Sequence, residues 1–427
     1  MDWYGGRANS PYRGAAPGAK LREMSSRVTH PAGQVAKSAA YGAGPHVDRL
    51  PPATRGAGRS YARALWRIAS ADVSPGNAVE LYSDGDRTFD AMIALIDGAM
   101  KTVEIESYIL RDDAVGDRFA AALTAAAERG ATVRLLSDWV GMRGTSESFL
   151  RKMRARGVSI RVFSPPGFRR WFGLVPRDHR KLLVVDGRAG VTGGIGIGEE
   201  WHRGLLRKRR QPWRDRCARI EGPAAKDMES AFEKMWRRAD GQPSTKSDRR
   251  LRRAPRHSDV DPATAPASLV GIVEGEPGRL RVGRALHLQS AAAERSIWLA
   301  SAYFLPSFAE VDALSGAARD GVDVRLLLPS KNDHPWVHRA TQRYYRSLLT
   351  NGVRIWEWRG EMMHAKTMVV DGVWTRVGST DFNPLGVAIN YELDAFIEDV
   401  EVAARAEDLF LADLEQSREV KTAPRGI

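Results

Sequence analysis

The chain of 427 residues contains the pattern His-x-Lys-x-x-x-x-Asp twice, as His179, Lys181 and Asp186 and again as His364, Lys366 and Asp371. An imidazole can act as a nucleophile or as a proton donor near neutral pH, because its ordinary pKa is about 6.5. A nearby lysine can hold a phosphate oxygen and stabilise the charge of a transition state. Two such sets indicate covalent transfer at a phosphodiester, in which one histidine attacks phosphorus and the other exchanges the proton.

Strand geometry divides each motif into two parts. Side chains two positions apart share one face of a strand, so His179 and Lys181 face a common site while Asp186 points the opposite way. We therefore expect each motif aspartate to anchor the end of its strand, and another group must orient each imidazole. Because the lysines supply the positive charge, this chemistry requires neither a metal ion nor a cofactor.

The segments that must position the two motifs also occur twice, in the same order. Tyr108 and Tyr303 are 195 positions apart, as are Gly157 and Gly352. The spacing of other landmarks drifts only by small insertions, which is typical of two copies of one unit that differ mainly in their loops. The pattern predicts a duplicated domain.

Each copy has the alternation of an α/β fold. Apolar runs at 102–110, 132–136, 159–163 and 182–185 alternate with amphipathic segments at 87–100 and 113–129. Nearly continuous apolar strands indicate burial on both faces by helices. Gly130 and Gly157 follow helical segments, where a residue with positive φ ends a helix readily.

Composition places the two lobes at 76–236 and 269–416, with a basic linker at 237–268 and a short tail at 417–427. The first 70 residues have eleven basic and three acidic side chains, so they hold +8 of the total net charge of +13. With little apolar periodicity, residues 1–75 are predicted to be a disordered basic tail. Its charge fits simple solvation and attraction of anionic lipid or nucleic acid equally well.

Targeting signals and cysteine content indicate the cellular compartment of the protein. The sequence has no apolar run long enough for a membrane span and no secretory signal. Its one cysteine, Cys217, excludes an internal disulfide and a cysteine-based zinc site. We expect a cytoplasmic protein.

Longer segments around both motifs resemble the phospholipase D superfamily and, in their particular residues, bacterial cardiolipin synthases. They include IESYIL, DHRKLLVVDGRAGVTGGIGIGEEW, WRDRCARIEGP and HAKTMVVDGVWTRVGS, and the resemblance extends over about 77–415. It implies two tandem α/β/α lobes, each with a mixed, mostly parallel sheet and flanking helices, related by pseudo-twofold symmetry. It also implies one active site at the lobe interface, in which a phosphohistidine forms.

The resemblance assigns roles to individual residues. It makes His179 the nucleophile and His364 the general acid and base, although the motifs alone do not fix that direction. Carboxylates at the positions of Asp215 and Glu392 hold the imidazoles in this family. The resulting catalytic set is His179, Lys181, Asp186, Asp215, His364, Lys366, Asp371 and Glu392, and the substrate-binding set is Gly194, Ser379 and Asn383.

The chain departs from the family pattern after each motif. Gly196 stands where an asparagine is usual, so an amide that could line the phosphate pocket is absent. After the second motif, Asp381 and Asn383 exchange the usual amide and carboxylate. A carboxylate beside a phosphate repels it unless the carboxylate is paired.

The resulting expectation is a phosphatidyltransferase that acts on anionic phospholipid at a membrane surface. Surface attachment is predicted at Pro165–Arg177, where aromatic and basic residues alternate, and lipid selection at the basic stretch His202–Arg216. One alternative is a phospholipase D that hydrolyses phospholipid to phosphatidic acid. A nuclease is a less favoured alternative, because nucleic acid is an unlikely partner, and the last is a lipid-binding relative without activity. Since both motifs lie in one chain, a monomer is sufficient for the site.

Overall fold

The computed structural model describes residues 58–165, 175–203, 211–241 and 268–424. The first half of the chain contains α1 (Gly58–Ala69), β1 (Asp72–Tyr82), α2 (Gly85–Asp97), β2 (Thr102–Ser107), α3 (Ala114–Glu128), β3 (Thr132–Asp138), α4 (Glu147–Ala155), β4 (Ser159–Phe163), β5 (Lys181–Val185), β6 (Ala189–Gly193), β7 (Cys217–Glu221) and α5 (Ala224–Ala239). The second half contains β8 (Ser268–Gly275), α6 (Arg281–Ala292), β9 (Ser296–Ala300), α7 (Phe308–Arg319), β10 (Asp323–Pro329), α8 (Pro335–Thr350), β11 (Arg354–Trp358), β12 (Thr367–Val370), β13 (Trp374–Gly378), β14 (Glu392–Glu398), α9 (Val400–Glu415) and β15 (Ser417–Val420). The predicted α/β class is confirmed.

Strand order reveals the duplication. Lobe 1 has the order β1-β7-β6-β5-β2-β3-β4, and lobe 2 repeats it as β8-β14-β13-β12-β9-β10-β11, with β15 added at the edge. The two series meet where β1 pairs with β8, because the first part of β1 pairs with β8 and the rest with β7. The expectation of two related lobes is confirmed.

The sheet is mixed, as expected, but parallel pairs are the minority. In the described chain, the parallel pairs are confined to β2-β3-β4 and β9-β10-β11. The other neighbours run antiparallel. Short turns join β5 to β6 and β12 to β13, and such turns connect only antiparallel strands. The expectation of mostly parallel pairing is therefore wrong.

The motif aspartates form these two turns. Asp186 and Gly187 have φ of 53° and 58°, and Asp371 and Gly372 have φ of 55° and 66°. Positive φ at both central positions is the requirement of a type I′ turn, and Asp-Gly is a preferred pair there. Each motif thus ends in a hairpin that returns the chain as the next strand.

Helices cover both faces of the strands. Helices α2 to α4 pack on lobe 1, and α6 to α8 pack on the corresponding strands of lobe 2. Helices α5 and α9 share a third cluster, in which Leu182 of lobe 1 and Leu393 of lobe 2 lie in one core. Strands β5 and β12 are buried along their whole length. The lobes are therefore joined by a common hydrophobic core.

The predicted domain boundaries need three corrections. The tail of 1–75 is too long, because Leu65 and Trp66 of α1 pack in the core of lobe 2 and β1 begins at Asp72. Helix α5 continues to Ala239, inside the expected linker, and β15 pairs with β11 inside the expected C-terminal tail. Residues 1–57 and 242–267, which hold the rest of the tail and linker, lie outside the described residues.

The docking of α1 on lobe 2 can be tested at Trp66, which is buried with its ring centroid 5.3 Å from that of Trp374. Trp66→Ala removes this packing, so we expect the free energy of unfolding to fall by about 3–5 kcal/mol in urea denaturation. Met100→Ala, at a residue with 80% exposure, is the control and should change it by less than about 0.5 kcal/mol. Equal stability of Trp66→Ala and the parent chain would contradict the packing.

Candidate active site

Each motif histidine is held by a carboxylate of the opposite lobe. The Nδ1 atom of His179 lies 3.0 Å from Oε1 of Glu392, and Nδ1 of His364 lies 2.7 Å from Oδ2 of Asp215. The structure thus brings together the two histidines and the two carboxylates expected to orient them. The sequence did not reveal that the pairs cross between the lobes.

Backbone hydrogen bonds of the two histidines also cross between the lobes. The amide of His179 donates to the carbonyl of Tyr391 at 2.9 Å, and the amide of His364 donates to the carbonyl of Arg214 at 2.7 Å. Tyr391 and Arg214 directly precede Glu392 and Asp215 in the chain. Each orienting carboxylate is therefore fixed next to the peptide that holds its histidine.

Asp215 is buried in a set of donors. Its Oδ2 atom also accepts from Nε1 of Trp201 at 3.0 Å, and its Oδ1 accepts from the amide of Arg216 at 2.8 Å. A Cβ atom on Gly194 would lie 2.2 Å from Oδ1 of Asp215. Gly194, expected to bind substrate, instead leaves the space that this carboxylate occupies.

The other two residues expected to bind substrate have their side chains engaged within the protein. The Ser379 hydroxyl donates to Oε2 of Glu392 and so helps to fix that carboxylate. The Asn383 amide group donates to the carbonyl of Tyr303 at 3.0 Å and accepts from the amide of Gly386 at 2.9 Å. The structure therefore places both in the support of the site, because their polar atoms are already used.

The motif aspartates also differ from the catalytic role first given to them. Asp186 accepts from the amides of Lys101 and Thr102, at the start of β2, at 2.7 and 2.8 Å. Asp371 makes the equivalent bonds to the amides of Arg295 and Ser296 before and at the start of β9. The anchoring expected from strand parity is confirmed, and these aspartates are positioning residues.

A tyrosine lies beside each motif lysine. Lys181 Nζ donates to the carbonyl of its motif histidine at 2.6 Å and lies 5.3 Å from the centre of the Tyr108 ring. In the second motif, Lys366 Nζ donates to the carbonyl of His364 at 2.8 Å and lies 5.5 Å from the centre of the Tyr303 ring. The face of an aromatic ring attracts a cation. Sequence reasoning missed this role, although the recurrence of the two tyrosines at one place in each copy was a signal for it.

Asp381, the carboxylate that replaces the usual amide, is buried next to a cation. Its Oδ2 atom lies 3.5 Å from Nζ of Lys366, and its Oδ1 accepts from the amide of Tyr303 at 3.2 Å. Burial raises the pKa of Asp381, and the charge of Lys366 opposes that rise. The added carboxylate is thus paired, as its position near a phosphate site requires.

Packing explains the absence of an amide at Gly196. A Cβ atom there would lie 2.9 Å from Cβ of Ile109 and 3.2 Å from Cη2 of Trp201. The Trp201 indole fills this space and at the same time donates to Asp215. Trp201 is a further residue whose role sequence reasoning missed, although it ends the segment around the first motif that resembles the family.

The charged groups of the site affect one another strongly. Burial, followed by the charges of the motif lysines, lowers the pKa of both His179 and His364 well below the ordinary value. Burial raises the pKa of Asp215 to about 6 and that of Glu392 to about 8, and it lowers the pKa of Lys181 to about 8. Both lysines influence both imidazoles, so the two motifs converge on one site.

The two histidines differ in their access to solvent. The side chain of His364 is 4% exposed and that of His179 is 14% exposed. The rings of Trp201, Trp213 and Tyr303 lie 5.6, 5.3 and 6.0 Å from the His364 ring, between centroids. The Nε2 atom of His364 is also 3.1 Å from Nζ of Lys366. His179 therefore has the more accessible ring.

Two arginines of the basic stretch His202–Arg216 are engaged within the protein. Arg214 and Arg216 both bind the carboxylate of Asp413 on α9, Arg214 at 2.7 Å. These contacts fix the segment that carries Asp215 against lobe 2. Residues 204–210 and 166–174, which hold most of the remaining predicted lipid contacts, lie outside the described residues.

Two features are absent from the described ranges. These ranges contain no helix with the length and apolar character needed to cross a bilayer. Nor do they contain a group of three or more His, Cys, Asp or Glu side chains placed to bind a metal ion.

Known proteins with similar sequences share one description. The family described as "Cardiolipin synthase, PLD-like domain" matches residues 92–236 and 287–414. A cardiolipin synthase of Listeria welshimeri is 33% identical over 80% of this chain and 70% of its own length. A cardiolipin synthase of Oceanobacillus iheyensis is 31% identical over 81% of the chain and 70% of its own length.

Solved structures agree in fold. A phosphatidylserine synthase of Haemophilus influenzae superposes with a TM-score of 0.66 at 14% identity, over 85% of this chain and 92% of the other. A polyphosphate kinase of Porphyromonas gingivalis gives a TM-score of 0.54 at 14% identity, over 81% of this chain and 48% of the other. With the sequence matches and the paired motifs at one interface, they lead to one conclusion: the chain belongs to the family of cardiolipin synthases with phospholipase D-like domains.

Proposed function

We propose that the protein is a phosphatidyltransferase that converts two molecules of phosphatidylglycerol into cardiolipin and glycerol. The observation that carries this proposal is the pair of crossed histidine and carboxylate contacts, flanked by two lysines, at one lobe interface. This arrangement supplies a nucleophile, a proton carrier and two cations for one phosphodiester. The names of the relatives support the choice of lipid and product.

In the first step, Nε2 of His179 attacks the phosphorus of one phosphatidylglycerol. The bond from phosphorus to the oxygen of the glycerol headgroup breaks, and His364 gives its proton to that oxygen. The lysines bind the non-bridging phosphate oxygens as charge develops. The phosphate anion offsets the two lysine charges that lower the pKa of His364, so substrate binding favours the protonated imidazole.

In the second step, a hydroxyl of another phosphatidylglycerol attacks the phosphohistidine. His364 takes the hydroxyl proton, and the bond between phosphorus and nitrogen breaks. Cardiolipin leaves, and both histidines return to their starting protonation states. Water in place of the lipid hydroxyl would give phosphatidic acid, so the product identifies the acceptor.

Accessibility supports His179 as the nucleophile. Its side chain is more exposed than that of His364, while Nε2 of His364 is next to Lys366. We further propose that one chain forms a complete site, since both lobes contribute to it, and that the protein binds the membrane surface peripherally. The proton and charge transfers use side chains of this chain throughout, so we expect EDTA to leave activity unchanged.

The roles of the two histidines can be separated with a phosphatidyl ester of p-nitrophenol, whose leaving group needs no proton donor. His364→Ala should release about one equivalent of nitrophenol and leave phosphohistidine at residue 179, detectable by mass spectrometry, because only the second step lacks its base. His179→Ala should give no burst. Both should lose cardiolipin synthesis by at least about 1,000-fold, whereas His287→Ala, at an exposed residue, should keep it. A burst from His179→Ala would reverse the assignment.

The rate should depend on the ionisation of Glu392. Below a pH of about 8, the pKa of Glu392, the protonated carboxyl donates to Nδ1 and leaves the imidazole proton on Nε2. The ionised carboxylate accepts from Nδ1 and frees Nε2 for attack, so kcat/KM should rise between pH 6 and about 8. It should fall above that range, because the pKa of Lys181 is also about 8.

Glu392→Gln tests this assignment, because its carbonyl oxygen accepts from Nδ1 at every pH. The rising part of the profile should disappear. The rate at pH 8 should fall by about 100- to 1,000-fold, because a neutral amide stabilises the positive charge that develops on the imidazole less than a carboxylate does. A variant that keeps the rise would show that another group controls it.

Asp381 should weaken anion binding by competing for Lys366. Asp381→Asn removes that carboxylate, so inhibition by inorganic phosphate should strengthen by about tenfold, which corresponds to about 1.4 kcal/mol. Inhibition constants measured for this variant and for Asp90→Asn, a surface carboxylate of lobe 1 paired with Arg118, make the comparison. An unchanged constant for Asp381→Asn would contradict the competition.

A further inference from the structure

Exposed apolar side chains are concentrated at one edge of lobe 2. In the described part of the chain, the large apolar residues with high exposure are Met100, Leu280, Phe308, Trp336, Leu385 and Val400. Phe308 is 86% exposed and Trp336 is 63% exposed. Single exposed apolar residues are ordinary on a protein surface. Four of these six, however, follow the carboxyl ends of strands of lobe 2: Leu280 after β8, Phe308 after β9, Trp336 after β10 and Leu385 after β13.

This edge is also the edge of the active site. Strands β8, β9, β10 and β13 run in the same direction, since each is parallel to the next or separated from it by one antiparallel strand. Lys366 immediately precedes β12 and Glu392 begins β14, and both of these strands run the opposite way. The catalytic groups of lobe 2 and the four exposed residues therefore lie at one end of the sheet.

Hydrogen bonds tie these loops to one another. The amide of Gly278 donates to the carbonyl of Ala388 at 2.9 Å and joins the loop of Leu280 to that of Leu385. The amide of Leu305 donates to the carbonyl of Phe382, also at 2.9 Å, and joins the loop before Phe308 to the same segment. The side-chain amide of Asn332 donates to the carbonyl of Ala302 at 3.1 Å and joins the loop before Trp336 to the loop before Phe308. The four residues, here called the apolar rim, thus lie on loops that are connected to one another.

Tyr303 connects the apolar rim to the chemistry. Its ring is 6.0 Å from that of His364, and its hydroxyl donates to Asp333 at 2.9 Å. The centroid of the His334 ring lies 6.1 Å from that of Tyr303, and His334 is two residues before Trp336. Tyr303 is therefore close both to the catalytic histidine and to the surface loop that carries Trp336.

Lobe 1 lacks these residues at the equivalent places that the structure describes. Helix α3 begins with Ala114 where α7 begins with Phe308, and α4 begins with Glu147 and Ser148 where α8 has Pro335 and Trp336. Folding of the repeated unit therefore does not require the exposed rings. Their presence in one copy points to a function in contact with another surface.

We propose that the apolar rim is the surface by which the protein docks on an anionic phospholipid bilayer, with Phe308 and Trp336 inserted at the level of the headgroups. Aromatic side chains favour that layer. Exposed cations, Arg284, Lys331 and Arg339, lie on the same elements and outnumber the exposed carboxylate of Asp312. The nearby Asp333 accepts from Tyr303, and Glu276 pairs with Arg279 and Arg281. The local charge thus complements an anionic membrane.

This docking surface rests on the proposed function, since a diacyl substrate stays in the bilayer and the site must approach it. The docking surface further implies that lobe 2 contacts the bilayer and that the active site opens towards the lipid headgroups. A lipid could then reach the histidines without leaving the layer in which its acyl chains are held.

The test compares two double variants of the full chain. Phe308→Ser/Trp336→Ser changes the apolar rim. Met100→Ser/Val400→Ser is the control and changes two exposed apolar residues at the end of the sheet that lies opposite the rim. Binding to vesicles of phosphatidylglycerol and phosphatidylcholine is measured by cosedimentation in about 0.5 M salt, which screens binding by the basic tail. The rim variant should bind about 100-fold more weakly, roughly tenfold for each side chain, and the control should bind like the parent chain.

A soluble substrate separates docking from catalysis. Transfer between molecules of dihexanoylphosphatidylglycerol, kept below the concentration at which it forms micelles, should proceed within about twofold of the parent rate in the rim variant. Transfer in vesicles should fall with binding. If the parent chain catalyses neither reaction, the proposed function fails, and the cosedimentation result still decides the docking surface.

Three results would overturn the docking surface. The first is vesicle binding by the rim variant equal to that of the parent chain. The second is a parent chain that is dimeric without lipid and a rim variant that is monomeric, measured by light scattering, because the rim would then be an interface between two copies. The third is a stronger loss of binding in the Met100 and Val400 control than in the rim variant.

Discussion

The exchange of carboxylates between the lobes is the contact on which the site depends. Glu392 of lobe 2 holds His179 of lobe 1, and Asp215 of lobe 1 holds His364 of lobe 2. The peptides before these carboxylates hold the backbones of the same histidines. A small shift of one lobe against the other would disturb both imidazoles at once, and catalysis is sensitive to displacements of about 1 Å. The shared core under α5 and α9 and the strand β1 common to both sheets resist that shift.

Burial gives the site its reactivity and also opposes its charges. An ionised group removed from water is costly unless it is paired and hydrogen-bonded. Here Lys366 is close to Asp381, and Asp413 binds the two arginines on either side of Asp215. Burial lowers the pKa of both histidines and raises that of Glu392 to about 8. It therefore opposes the charged forms of the imidazoles and of this carboxyl alike.

The sequence predicted those features that depend on spacing. The two motifs, the repeated elements and the glycines that end helices follow from local periodicity, and Gly130 and Gly157 do have positive φ. The family resemblance also located Asp215 and Glu392, but which histidine each would hold depends on how two distant halves of the chain pack. Packing likewise decided the roles of Gly194 and Ser379, since only the fold shows which polar atoms are already used. Helix α1 was missed because its stability comes from the core of lobe 2 and not from its own sequence.

The indole at Trp201 limits how this chain can evolve. Its ring and Cβ of Ile109 together leave little room for a side chain at Gly196, and its nitrogen donates to the carboxylate behind His364. A single mutation that restored asparagine at Gly196 would meet that ring, and loss of the ring alone would remove a donor from Asp215. A larger residue at 196 would therefore require Ile109 and the Trp201 ring to shift, and a shift of that ring would move the donor that Asp215 receives behind His364.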